Sequence, residues 1–191
     1  MSEGKMKQLE YFDIRDKNGE ITGEIKERSL VHQDGDLHGT VHVWVVRKKE
    51  TGYDVLLQKR SATKDSFPGC YDISSAGHVE AGFVYKESAL RELKEELGIT
   101  AKEEELVYFG MHEGYVEEWF YGKLFKNHEI SAMFLYDKPI VETELVLQTE
   151  EVESVCFMDY HVCMEKMKDG TLQHCIYMDE FETLGKKLGL L

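Results

Sequence analysis

The sequence predicts an α/β (α+β) fold, a mixed β-sheet sandwiched between helices. Two observations predict it. Short segments of alternating or continuous apolar character outnumber helical ones, and the helical ones fall between and after them. No linker, low-complexity stretch or internal repeat divides the chain, so its 191 residues, 42% hydrophobic, read as a single domain with a full core over 1–191.

The elements follow in order. Leu9 to Ile14 and Ile21 to Ile25 flank Asp16-Lys17-Asn18-Gly19, whose Asn-Gly marks a tight turn, so 1–37 is expected to carry an N-terminal hairpin extension. A short helix or turn is expected from Glu27 to His32. Strands are expected from Gly39 to Arg47, alternating around Val41, Val43 and Val45, and from Tyr53 to Lys59. Phe67-Pro68-Gly69 turns the chain into a further strand, Cys70 to Ala76. Ala89, Leu90, Leu93 and Leu97 then recur at helical spacing and Gly98 closes the run. Later strands are expected at Glu105 to Phe109, Glu129 to Tyr136 and Val152 to Phe157. Helices at Tyr160 to Lys168 and Met178 to Leu188 make 158–191 a helical C-terminus.

Composition narrows the function. A net charge of −14 argues against holding a nucleic-acid backbone, which needs clustered cations. No apolar run approaches the length of a membrane span, and the polar start from Met1 to Glu10 does not read as a signal peptide. A soluble cytoplasmic protein is therefore expected. Cys70, Cys156, Cys163 and Cys175 lack Cys-x-x-Cys spacing and are expected to be reduced thiols.

The densest chemical signal is Arg91-Glu92-Leu93-Lys94-Glu95-Glu96-Leu97-Gly98-Ile99. Glu92, Glu95 and Glu96 share one side of the helix, and three like charges there weaken it unless something positive sits among them. A solvated acidic face would be the ordinary outcome. The preceding loop, Gly77-His78-Val79-Glu80-Ala81-Gly82, shifts that balance, because it brings a tight turn and a backbone carbonyl to the same helix.

Gly77 to Ile99 resembles the Nudix box: glycine, five residues, glutamate, seven residues, then Arg-Glu-apolar-x-Glu-Glu-x-Gly-apolar. The resemblance implies a Nudix fold and a hydrolase of diphosphate linkages, a diphosphatase or pyrophosphohydrolase, using Mg²⁺ or Mn²⁺. It assigns Glu92, Glu95, Glu96 and the Gly77 carbonyl as metal ligands, with Glu95 and Glu96 catalytic. One position departs. Phe83 stands where the box has a glutamate that supports the motif arginine. Phe83 is expected to pack at the loop–helix junction, leaving Arg91 to find another carboxylate or water.

Beyond the box, Tyr11 to Tyr160 resembles the branch that includes type I isopentenyl-diphosphate isomerases. His32 and His38 match two metal-binding histidines there, with one residue fewer between them, and His78 matches a third. Arg60 and Lys64 match cations that face a diphosphate, a role suited to a guanidinium fork and an ammonium point charge. Glu129 matches a glutamate that ligates metal or moves protons. In a hydrolase it would be the general base or a ligand to a second cation. Ala76, where the isomerases carry their cysteine, and Asn127, where they carry a second carboxylate, argue against that activity.

The expected partner is a small-molecule diphosphate, with a homodimer left open and neither nucleic acid nor membrane involved. An isomerase, and a silent binding protein supported by Phe83, are the alternatives. Trp44, Trp119, Phe120 and Tyr121 are expected to pack rather than to stack on a substrate.

Overall fold

The computed structural model describes residues 9–191; residues 1–8 of the polar opening segment lie outside it. Its organising strand is β3, Leu37–Lys48, whose first ten residues are all buried. The alternating valines are thus half of the pattern, because the residues between them are buried too. Val41, Val43 and Val45 pack with Ala89, Leu93 and Leu97 of α2, Tyr85–Leu97. Trp44 and Val46 point the other way, into a core with Tyr160 of α3, Tyr160–Lys168, and Phe181 and Leu184 of α4, Met178–Leu188. Side chains alternate across a strand, so one sequence feeds two cores.

Around β3 the chain wraps the rest of the sheet. β1, Tyr11–Arg15, and β2, Ile21–Glu27, form the expected N-terminal hairpin, and β1 meets β3 at Ile14 and His38. The short helix α1, Arg28–Asp34, follows. β4, Tyr53–Arg60, pairs with the far end of β3 and with β9, Val152–Asp159. The strand expected at 70–76 is two short pieces, β5, Tyr71–Asp72, and β6, Ser75–His78. β6 pairs with Thr40 to Val43. β6 brings Gly77 against Glu92 of α2.

The last two helices have the expected bounds, and Gly98 caps α2 with φ 72°, a conformation glycine adopts without strain. The largest departure is a long hairpin. β7, Val107–Phe120, and β8, Lys123–Tyr136, pair along their whole length, whereas the sequence suggested only 105–109 and 129–136. Glu129 therefore lies mid-strand, and β8 runs parallel to β3 with Glu129 opposite His38. Trp44 is fully buried, and Phe120 packs against Phe67 and Phe125, as expected. Trp119 and Tyr121 do not pack: at the hairpin tip they are 68% and 71% exposed. Among the described residues no helix is long and apolar enough to cross a membrane, and the four cysteines are free.

Candidate active site

One cleft of about 330 Å³ collects most of the predicted groups: Gly77, His78, Glu92, Glu95, Glu96, Arg60, Lys64 and Glu129 all line it. α2 delivers its glutamates to β6. The Glu96 side chain is buried, and its carboxylate accepts the Ala76 backbone N–H at 3.1 Å. Glu92 lies so close to Gly77 that a Cβ built there would fall inside its carboxylate. Glycine at 77 is thus a matter of space for Glu92. Glu95 is more exposed and pairs with Arg91 at 3.2 Å, one helical turn away.

Burial raises Glu92 to about 8, helped by the neighbouring charges of Glu96 and Glu95 and opposed by Arg91. It raises Glu96 to about 7, opposed by the nearby Ser75 hydroxyl, by the charge of Lys64 and by the Ala76 N–H hydrogen bond. Carboxylates held this way suit a hard cation that would share their charge. Both values exceed the ordinary 4.5, so the metal-free folded chain binds more protons than the unfolded one between about pH 4.5 and 8. Its stability should be highest below pH 4.5 as far as these groups decide it, and should fall as pH rises through that window. Each pH unit of displacement is worth about 1.4 kcal/mol, so the loss is on the order of a few kcal/mol. Thermal melts from pH 5 to 8 check this. The melting temperature should fall in chelator, the fall should flatten with saturating Mg²⁺, and Glu92→Gln should remove much of it.

A second donor set lies beside the first. His32, His38 and His78 bring one ring nitrogen each to within 4.8 Å of the others. Among the described residues these three converge most tightly, while Glu92 and Glu95 pair with Arg91 at 2.9 and 3.2 Å. The His32 and His38 Nδ1 atoms face the carbonyls of Lys126 and Asp36 at 3.2 and 2.9 Å. A carbonyl only accepts, so each Nδ1 carries the proton and each Nε2 keeps its lone pair. Both Nε2 atoms are buried without a hydrogen-bond partner. Burial holds His32 down to about 4 and His38 to about 3, and pushes His78 well below its usual value, so all three are neutral near pH 7. Three neutral imidazoles form a donor set suited to a borderline divalent ion such as zinc. Phe12 stacks on His38 and His78 and walls the cluster off.

The predicted substrate cations are placed differently from each other. Arg60 is largely buried, and its fork is engaged with Asp72 at 2.8 Å and with the carbonyls of Ser66 and Phe67. It braces the loop that carries Lys64. Lys64 lines the cleft paired with Glu151, and Arg28 of α1 lines it paired with Glu10 at 2.9 Å. Glu129 is 7% exposed, accepts the Asn127 amide N–H at 2.7 Å, and has its carboxyl raised by burial.

Residues 36–176 match the NUDIX domain family. The chain belongs to that family. Over 155 residues it is 43% identical to Nudix hydrolase 3 of Arabidopsis thaliana, a match covering 79% of this chain and 19% of that protein. Over 143 residues it is 38% identical to an uncharacterized Nudix hydrolase of Clostridium acetobutylicum, covering 75% of this chain and 66% of that one. It therefore spans about a fifth of the length of the first relative and just under two thirds of the second. The crystal structure of DR0079 from Deinococcus radiodurans superposes with a TM-score of 0.67 at 14% identity, covering 91% of this chain and 98% of that one. The NUDIX domain of Shewanella oneidensis NrtR, complexed with ADP ribose, superposes with a TM-score of 0.58 at 12% identity, covering 78% and 87%. At these identities the structural likeness is one of fold.

In this NUDIX chain the departure at Phe83 is absorbed nearby. Phe83 is 51% exposed, so it does not pack at the junction as expected. Arg91 finds other carboxylates: Glu92 at 2.9 Å, Glu95 at 3.2 Å and Glu80, from the loop, at 3.6 Å. It also donates to the His78 carbonyl at 3.2 Å, which ties loop to helix. Phe83→Glu should therefore change turnover by less than about twofold, since an exposed site away from such features rarely matters. Glu80→Gln should lower it by roughly 10-fold, as loss of a supporting partner does. Steady-state rates of both variants check the pair, and the reverse order would return the support to position 83. Arg28 and Glu80 were not picked out by sequence reasoning. Neither carries a motif signal, and each reaches the cleft through the packing of α1 and the loop.

Proposed function

We propose that the chain is a Mg²⁺-dependent NUDIX hydrolase that cleaves a diphosphate linkage in a small molecule, such as a nucleoside diphosphate derivative. The observation that carries this reading is the gathering of the helix glutamates, Lys64 and Glu129 around one cleft. Glu92, Glu95, Glu96 and the Gly77 loop would hold magnesium. The three histidines, His78 among them, would hold a softer divalent ion. When bound, magnesium would neutralise the diphosphate and acidify a water for attack on phosphorus. Lys64 and Arg28 hold phosphate oxygens, and Arg60 keeps the Lys64 loop in place. Glu129, whose burial raises its proton affinity, takes the proton from the attacking water. A panel of nucleoside diphosphates, dinucleotides, sugar nucleotides and prenyl diphosphates, incubated with Mg²⁺ and resolved by chromatography for their phosphomonoester and phosphate products, tests this. At least one should be cleaved, and no cleavage across the panel defeats the reading.

The histidine cluster favours a second reading, the isopentenyl-diphosphate isomerase, because the same three residues carry that resemblance. Allylic isomerisation needs a proton added at one carbon and another removed elsewhere. Ala76 offers no ionisable atom for one half of that pair. Isopentenyl diphosphate incubated in heavy water should gain no deuterium and form no dimethylallyl isomer. Isomer formation that Glu96→Gln abolishes would transfer the assignment.

A further inference from the structure

Glu180 is fully buried on α4, on the side of β3 opposite to α2. Burying a carboxylate without partners is costly, so its contacts show what retains it there. One oxygen accepts the Trp44 indole N–H at 2.8 Å. The other meets His42 Nδ1 at 2.8 Å. A carboxylate there accepts, so Nδ1 carries the proton; with the Glu129 carboxylate facing Nε2, that nitrogen is protonated too, and the imidazolium is locked in one orientation. Its other nitrogen, Nε2, points into the cleft and lies 3.8 Å from the Glu129 carboxylate. Asn127 holds the second Glu129 oxygen at 2.7 Å. The His112 ring, 3.8 Å from Glu180, is the other ring facing that carboxylate, while its far nitrogen goes to Asp179 at 3.1 Å. A chain of carboxylate, imidazole and carboxylate thus runs from α4 through β3 to the proposed base. The hydrophobic core alone does not require it, since an aliphatic side chain at 180 would fill the space without burying a charge.

We infer that His42, oriented by Glu180, is a positioning residue that holds the Glu129 carboxylate in its working orientation in the cleft. Two groups face Glu129, one per oxygen: the Asn127 amide through a hydrogen bond at 2.7 Å, and the His42 ring through its charge at 3.8 Å. Glu180 acts at a distance, by fixing which nitrogen of His42 faces the cleft. The inference rests on the proposed hydrolysis for its kinetic consequence and on geometry alone for the coupling.

Two measurements test it. In 15N-labelled protein without substrate, NMR should resolve a hydrogen-bonded His42 Nδ1 proton that Glu180→Gln shifts or broadens, and Glu129→Gln should move the His42 Nε2 resonance. An Nδ1 proton that is absent, or an Nε2 resonance indifferent to Glu129→Gln, overturns the inference. On whichever diphosphate the wild type cleaves, Glu180→Gln and His42→Asn should each lower kcat by roughly 10- to 100-fold with KM within about twofold. Trp44→Phe removes the other hydrogen bond to Glu180 and leaves His42 in place. It serves as the structural control and should keep kcat near wild type. If Trp44→Phe loses as much as Glu180→Gln, the role is structural and the inference fails. A wild type that cleaves nothing removes the proposed function, while the NMR result still decides the coupling. If Glu180→Gln does not fold, His42→Asn against Trp44→Phe makes the same comparison.

Discussion

Replacing Glu96 with glutamine is expected to lower diphosphate cleavage by about three orders of magnitude while leaving the protein folded. The amide keeps the volume, and an amide oxygen can still accept the Ala76 N–H that the carboxylate accepts at 3.1 Å. What it loses is the negative charge that a bound cation would draw out at the centre of the cleft. A loss of roughly 4 kcal/mol of charge stabilisation corresponds to about 10³-fold in rate. The same variant should lose its response to metal. At a hundred times its Kd, a cation that binds the folded state adds about 2.7 kcal/mol, roughly 5–10 °C in melting temperature for a chain of this size. Wild type should show that shift with Mg²⁺, and Glu96→Gln should not. An undiminished shift in the variant would take the α2 glutamates out of the metal site.

Gly77→Ala should be nearly as damaging, although it adds a single methyl group. The added carbon would occupy the space of the Glu92 carboxylate, so Glu92 must leave the cleft wall. A ligand displaced by about an ångström can cost around 100-fold in rate. The loss should come with a lost Mg²⁺ shift and an intact fold. A double-mutant cycle separates the causes. If the methyl group acts through Glu92, Gly77→Ala should cost almost nothing further in a Glu92→Ala background. Additive losses would place the damage in β6 itself.

These two predictions rest on the part of the site that the sequence made legible. The box is local: its glycine, arginine and glutamates lie within one loop and one helix, so spacing alone sets their relation. The bounds of α3 and α4 were legible for the same reason, through helical periodicity. The β7–β8 hairpin was not. Its outer strand is an edge that carries mixed charged, aromatic and glycine residues, and most of these face solvent. No apolar alternation marks such a strand. The three histidines were matched through the resemblance, but that α1, β3 and β6 bring their rings together was not legible from spacing. Arg60 illustrates another limit. It lines the cleft, but its pairing with buried Asp72 joins β4 to β5 and could not be read from the sequence. Glu180 gave no signal, because on an amphipathic C-terminal helix a glutamate reads as solvated until β3 is packed against it.

The central claim, that this cleft directs water onto the phosphorus of a diphosphate, is tested most directly by isotope. The substrate that the panel identifies would be cleaved in 18O-enriched water with Mg²⁺ and followed by 31P NMR. One phosphate product should carry a single 18O, seen as an upfield isotope shift, and Glu96→Gln should yield none of it under the same conditions. Products without label at phosphorus, or labelled product formed equally fast by Glu96→Gln, would contradict the account.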